Sequence, residues 1–282
     1  MSDDSTDRYV YGLRVRGLGH VTQLPPAGPA DGRPTVAIWC VDTQPPPPTG
    51  PDGSRSVRLL PDGQWLSVDR IRATAIFHGP APSPDLIAHP YLAAAATVVN
   101  RWAGRETFHS GAFVRHGRAW AVLGSRTAGK SSLLAALAAE GVPVMADDVL
   151  VTDGRYGFAG PRCVDLREMI PGLTTDAIRV RRRSRLRVAL PPVADRVQLG
   201  GWFFLRWGTE PSVVPVAPGD LLARLAALRS WPELPSDPST LLALAALPAW
   251  ELNRPRDWSA LDATRRLLEA TVATPARVGV ST

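Results

Sequence analysis

The sequence predicts an α/β fold in two parts, a small β-rich domain over residues 1–80 and a larger α/β domain over residues 86–282. Three observations predict it. The first eighty residues hold short apolar runs bounded by turn residues, the pattern of short strands. A breaker-rich segment, HGPAPSPD (78–85), then interrupts the chain. Beyond it, RAWAVLGSRTAGKSS (118–132) reads as strand, glycine-rich turn and the start of a helix.

In the first part, residues 8–23 (RYVYGLRVRGLGHVTQ) alternate apolar and polar side chains, as a half-buried strand does. TVAIWCV (35–41) is a second strand. QPPPPTGPDG (44–53) is a proline-rich surface loop and reads as a connector. Strands follow at SVRLL (56–60), QWLSV (64–68) and RATAIFH (72–78), with the turn PDG (61–63) between the first two.

In the second part, HPYLAAAATVVNRWAG (89–104) is an alanine-rich helix stopped by Gly104. TFHSGAFVRHG (107–117) reads as one strand and a tight turn, and RAWAVLG (118–124) as the next strand. Residues 131–140 are helical, with Gly141 as a left-handed cap. VPVMA (142–146) is a short buried strand, and VLVTDGRYGFAG (149–160) a hairpin around Asp153-Gly154. A strand at WFFLRW (202–207) and two or three helices complete the chain. The last helix starts near Asp257, with Asp257 or Ser259 as its N-cap.

The bulk numbers fit this picture. A chain of 282 residues with 45% apolar and 21% charged residues can bury its own core. No run of about eighteen apolar residues occurs, so no membrane span is expected. The opening MSDDSTDRY has no apolar segment of a secretory signal. The two cysteines, Cys40 and Cys163, lack metal-ligand spacing, and a reduced, cytoplasmic setting is expected.

Charge usage is more informative. Of 32 basic residues, 31 are arginine, and the single lysine is Lys130. It lies in GSRTAGKS (124–131), which fits G-x-x-x-x-G-K-[ST]. A compact ammonium on a flexible stem reaches β- and γ-phosphates where a planar guanidinium fits poorly. The candidate nucleotide-binding residues are Gly124, Ser125, Arg126, Thr127, Ala128, Gly129, Lys130, Ser131 and Ser132, with the Ser131 hydroxyl available to Mg²⁺. Asp147 and Asp148 follow Lys130 by only seventeen and eighteen residues and end the next strand at the same sheet edge. One carboxylate beside Mg²⁺ and one free to take a proton suit phosphoryl transfer.

His109-Ser110-Gly111, GSRTAGKSS (124–132) and EGVPVMADD (140–148) together resemble the catalytic core of the HPr kinase/phosphorylase family. The opening YVYGLRVRGLGHVTQLPP (9–26) resembles short HPr-kinase-like proteins associated with biosynthesis of ribosomally made peptides, lasso peptides among them. The resemblance is specific over residues 107–152. It implies an HPr-kinase-like P-loop catalytic domain, ATP or another nucleoside triphosphate, and Mg²⁺. It implies Asp147 as base toward a serine hydroxyl, Lys130 on the phosphates, Ser131 and Asp148 at the metal, and His109 in support. The implied acceptor is a peptide or small protein, with a ribosomally made precursor as its class.

Departures from the family pattern matter too. GPRCVDLREMIPG (160–172) stands where the bifunctional members carry E-x-R-G, which puts phosphate removal in doubt. Arg162, Arg167 and Glu168 are candidate substrate or phosphate contacts there. IRVRRRSRLRVAL (178–190) is dense in arginine and reads either as a solvated basic loop or as an arm for an acidic peptide or the transferred phosphate, with Arg187 a candidate contact. The run lacks interleaved aromatics, which argues against nucleic acid despite a net charge of +6. The rival function is a nucleotide-binding sensor or accessory protein with little or no kinase activity, consistent with the bulky Arg126-Thr127-Ala128 loop. The sequence leaves homo-oligomerisation open.

Overall fold

A computed structural model of the chain describes residues 6–29, 32–47, 53–172, 177–180 and 184–273. The apolar runs of the first eighty residues pair into one sheet. Strands Arg8–Val10, Leu13–Arg16, Thr35–Val41, Thr74–His78, Trp65–Asp69 and Arg55–Leu59 lie side by side in that order. Strand 35–41 runs parallel to both neighbours, and the remaining pairs are antiparallel.

The alternation over 8–23 is broken into two strands. Tyr11 and Gly12 take φ of 55° and 74°, and Val10 pairs with Leu13 across them. Positive φ at both central residues makes a tight hairpin turn whose twist matches the flanking strands. A two-residue turn preserves the period, which is why the two strands read as one. The centre of the proline-rich segment, 48–52, lies outside the described residues.

The inner face of this sheet, including Val36, Ile38, Leu66 and Phe77, packs on helix Leu92–Trp102. The same buried cluster takes in Val149, Val151 and Phe158 from beyond the glycine-rich loop 124–131. Buried Asn100 ties the two together, donating to the Tyr11 carbonyl at 3.1 Å.

The second sheet runs 144–146, 110–115, 118–123, 196–207, 156–158, 150–152, 106–108, with 249–254 beside the far half of 196–207 and 212–215 beyond that. Its central strands are apolar on both faces, as strands covered on both sides must be. Strand 144–146 is antiparallel to 110–115, which is antiparallel to 118–123. The strands ending at Gly124 and at Asp147 therefore point the same way, with one strand between them.

The segment expected as one strand over 107–117 is two, Glu106–Phe108 and Ser110–Arg115, and they join opposite ends of the sheet. The chain changes partner at His109: Phe108 pairs with Leu150, and Ser110 with Leu123. Helix Lys130–Ala139 closes on Gly141 at φ 76°, and lies so near strand 110–115 that a Cβ on Gly111 would overlap Leu134.

Part of the arginine-rich segment forms a small sheet ordered Cys163–Leu166, Arg185–Ala189, Ala177–Val180, packed on that helix through Val164, Leu166 and Val188. Residues 181–183 lie outside the described residues. Helices Pro218–Leu228, Pro238–Ala245 and Leu261–Ala273 follow, and Asp257 caps the turn leading into the last by accepting from the Ser259 amide at 2.9 Å. Among the described residues no helix is long and apolar enough to cross a membrane.

Candidate phosphate-loop site

The loop from Gly124 to Ser131 joins buried strand 118–123 to the N-terminus of helix 130–139, the strand-turn-helix arrangement in which a helix N-terminus can meet an anion. Close approach requires glycine at its ends. A Cβ on Gly124 would stand 2.8 Å from that of Ala128, and Gly129 holds φ 80°. Thr127 also has positive φ, 72°, which is strained for a β-branched residue. Buried Lys130 donates to the Gly124 carbonyl at 2.8 Å, across the loop. Burial pulls its ammonium below the usual lysine range, and the charges of Asp148 and Asp147 oppose that.

The Ser131 hydroxyl donates into the Asp147 carboxylate, 2.9 and 3.1 Å from its two oxygens. Asp147 is 3% exposed, and burial raises it from the ordinary 3.8 to about 6, with nearby His89 working in the other direction. Asp148 adopts φ 71°, and its Oδ1 lies 3.1 Å from His109 Nδ1. Burial alone would raise Asp148. The His109 hydrogen bond and the charges of His89, His109 and Lys130 outweigh it and bring the group down to about 2. The adjacent carboxylates thus differ: one is desolvated beside a serine, the other held ionised by its surroundings.

These groups line a cavity of about 770 Å³. Arg126, Thr127, Gly129, Lys130, Ser131 and Ser132 border it from the loop, with Asp147, Asp148 and His109. Arg167 and Glu168 border it as well. Gly124, Ser125 and Ala128 face a second cavity of about 510 Å³. Arg162 and Arg187 line neither. Arg187 is 2% exposed and forks onto Asp165 at 2.6 and 2.9 Å, with further donation to the backbone of Asp85 and His89. Its guanidinium is committed to holding the small sheet against residues 85–89.

The structure adds residues to the site that sequence reading missed. His89 and Asp165 border the cavity near Asp147. Trp207, Arg254, Arg256 and Trp258 border it near the loop, and Asp62 and Trp231 extend it toward the first sheet. Among the described residues no group of three or more His, Cys, Asp or Glu side chains is arranged to hold a metal by itself.

No family model matches the chain, and no curated protein does. Among solved structures, the chain is similar to an HPr(Ser) kinase/phosphatase from Coxiella burnetii, at 12% identity and a TM-score of 0.33. That match covers 59% of this chain and 95% of the other.

Proposed function

We propose that this chain is a nucleotide- and Mg²⁺-dependent kinase that transfers a γ-phosphoryl group to a serine hydroxyl, with a ribosomally made precursor peptide as the acceptor class. The observation that carries the reading is the placement of Asp147 and Asp148 in one cavity with Lys130 and Ser131, the Ser131 hydroxyl bonded to Asp147. The serine part rests on the resemblance of residues 107–152 to HPr kinases, and the precursor-peptide part on the resemblance of residues 9–26 to short HPr-kinase-like proteins of ribosomal-peptide biosynthesis.

Mg²⁺ binds through one or two carboxylates, phosphate oxygens and water, and the hard oxygens of Ser131 and Asp148 are donors of that kind. When bound, it would offset charge on the β- and γ-phosphates. The loop amides and Lys130 hold those phosphates and fix the direction of attack. Asp147 accepts the proton of the attacking hydroxyl. A carboxylate raised to about 6 is a stronger proton acceptor than an ordinary one and still largely ionised at neutral pH. His109 keeps Asp148 oriented and charged. The remaining length of the cavity, toward Tyr91, Asp62 and Trp231, leaves room for an acceptor side chain.

The test is direct. Purified protein, Mg·ATP and a serine-containing precursor peptide are incubated, and the peptide is examined by mass spectrometry for one added phosphoryl group, beside an Asp147→Asn control. Phosphopeptide from the wild type alone supports the reading. Phosphopeptide from the control as well would remove Asp147 as base and point to Asp148. Nucleotide binding without product across a panel of acceptors favours the sensor, a reading that the strained Thr127 and the tethering of Lys130 to loop carbonyls also suit.

A further inference from the structure

Three arginines are buried among the described residues, and two have a carboxylate to match. Arg101 pairs with Glu106, and Arg187 with Asp165. Arg254, 5% exposed at the end of strand 249–254, has no carboxylate within ion-pair distance among the described residues. Both of its hydrogen bonds there leave from Nη2, to the carbonyls of Ala128 at 2.7 Å and Gly129 at 2.9 Å. Its Nε is buried without a partner.

A buried cation without a counter-ion costs several kcal/mol and is retained where something anionic neutralises it. Burial pulls this guanidinium down to about 10, with no acidic group opposing. Its position says what the anion is. The guanidinium lies against Gly129, where a Cβ would overlap it, and it borders the same cavity as Lys130 and Ser131. The Trp207 ring stacks against it, the ring centroid 4.6 Å from Cζ.

We infer that Arg254 is a second cation of the phosphate loop, which contacts the polyphosphate of a bound nucleotide through Nη1 while Nη2 braces the loop carbonyls. The inference rests on the phosphate-loop reading and adds a residue to it from a distant strand. Lys130 approaches as a point charge; Arg254 brings a planar fork on a fixed stem.

Calorimetric titration of the full chain with ADP and with pyrophosphate tests it, on wild type, Arg254→Met and Arg254→Lys, beside ligand-free thermal unfolding. Charge-assisted hydrogen bonds of this kind carry about 10- to 100-fold in affinity. The expected result is a loss of about that size for both ligands in Arg254→Met, with a ligand-free Tm that does not fall. Affinity unchanged for both ligands, or a fall in ligand-free Tm with pyrophosphate binding intact, would make Arg254 a purely structural brace and overturn the inference. Loss confined to ADP would move Arg254 to the nucleoside and overturn it too. Should Arg254→Met not fold, Arg254→Lys decides: severalfold weaker pyrophosphate binding supports the fork, and wild-type affinity refutes it. Wild-type protein that binds neither ligand would instead bring down the phosphate-loop reading itself.

Discussion

Replacing Asp147 by asparagine removes a charge that the fold holds at a cost. The carboxyl is 3% exposed and raised from 3.8 to about 6. At about 1.4 kcal/mol per pH unit, that rise corresponds to about 3 kcal/mol of native-state destabilisation once the group is ionised in both states. Because the folded pKa lies above the unfolded one, the native state binds the proton more tightly. Its full contribution to stability is present below about pH 3.8 and is lost as pH rises through about 6. Asp148 has the opposite sign and another window. Lowered to about 2, it adds stability above about 3.8 that disappears only as pH falls through 2.

Between about pH 4 and 8, then, Asp147 is the member of the pair whose protonation changes. In Asp147→Asn the amide oxygen can still accept from Ser131, so the charge is removed with that hydrogen bond kept. Urea unfolding of wild type and Asp147→Asn at several pH values in that range isolates the difference, since groups common to both cancel. The variant is expected to gain stability relative to wild type as pH rises, by about 3 kcal/mol at about pH 8. Equal unfolding free energies at both ends of the range, or a variant less stable at the alkaline end, would refute the claim that burial of this carboxylate dominates its energetics. If the proposed kinase reading holds, phosphorylation is lost in the same variant that gains stability, the trade-off of a residue kept for function.

Other perturbations test neighbouring parts of the site and the fold. If Asp147 is the base, kcat/KM for peptide phosphorylation rises with pH through a midpoint near about 6, and a flat profile from about pH 5 to 8 removes that role. Thr127→Gly relieves about 1–2 kcal/mol of left-handed strain against about 0.5–1 kcal/mol of added unfolded-state entropy, so urea unfolding should show a gain of about 0.5–1 kcal/mol. Arg101→Met leaves Glu106 buried with Ser236 as its remaining side-chain partner, and a loss of about 3–5 kcal/mol in unfolding free energy is expected. Gly111→Ala drives a Cβ against Leu134 and to 3.0 Å from the Ala146 carbonyl, next to Asp147. A loss of about 1–3 kcal/mol is expected, read by thermal unfolding, with weakened nucleotide binding.

What the sequence disclosed was local. The glycine-rich loop, the cap at Gly141 and the aspartates at a strand end each follow from a few consecutive residues, and Arg126, Thr127 and residues 129–132 of the loop border one cavity with both aspartates. His109 carried a weaker signal, because a strand's partner switch leaves no mark on alternation. His89 was hidden inside an alanine-rich helix pattern, while the regular helix begins only at Leu92. Strand 249–254 was missed altogether, since its identity is decided by parallel pairing with 202–207.

The arginines illustrate why such misses are physical. In the chain, Arg187 is one of a dense basic run and invites assignment to phosphate, whereas Arg254 stands unremarked before a proline. The fold reverses their prospects. Register sets Arg187 directly opposite Asp165 and neutralises it, and Asp85 adds a second acid. Strand 249–254 delivers Arg254 to the loop carbonyls with no acid in reach among the described residues. Whether a buried arginine holds the protein together or waits for an anion depends on its counter-ion, and the counter-ion is a non-local fact. A basic run in sequence measures charge density, and charge already paired in the fold is not free to meet a substrate.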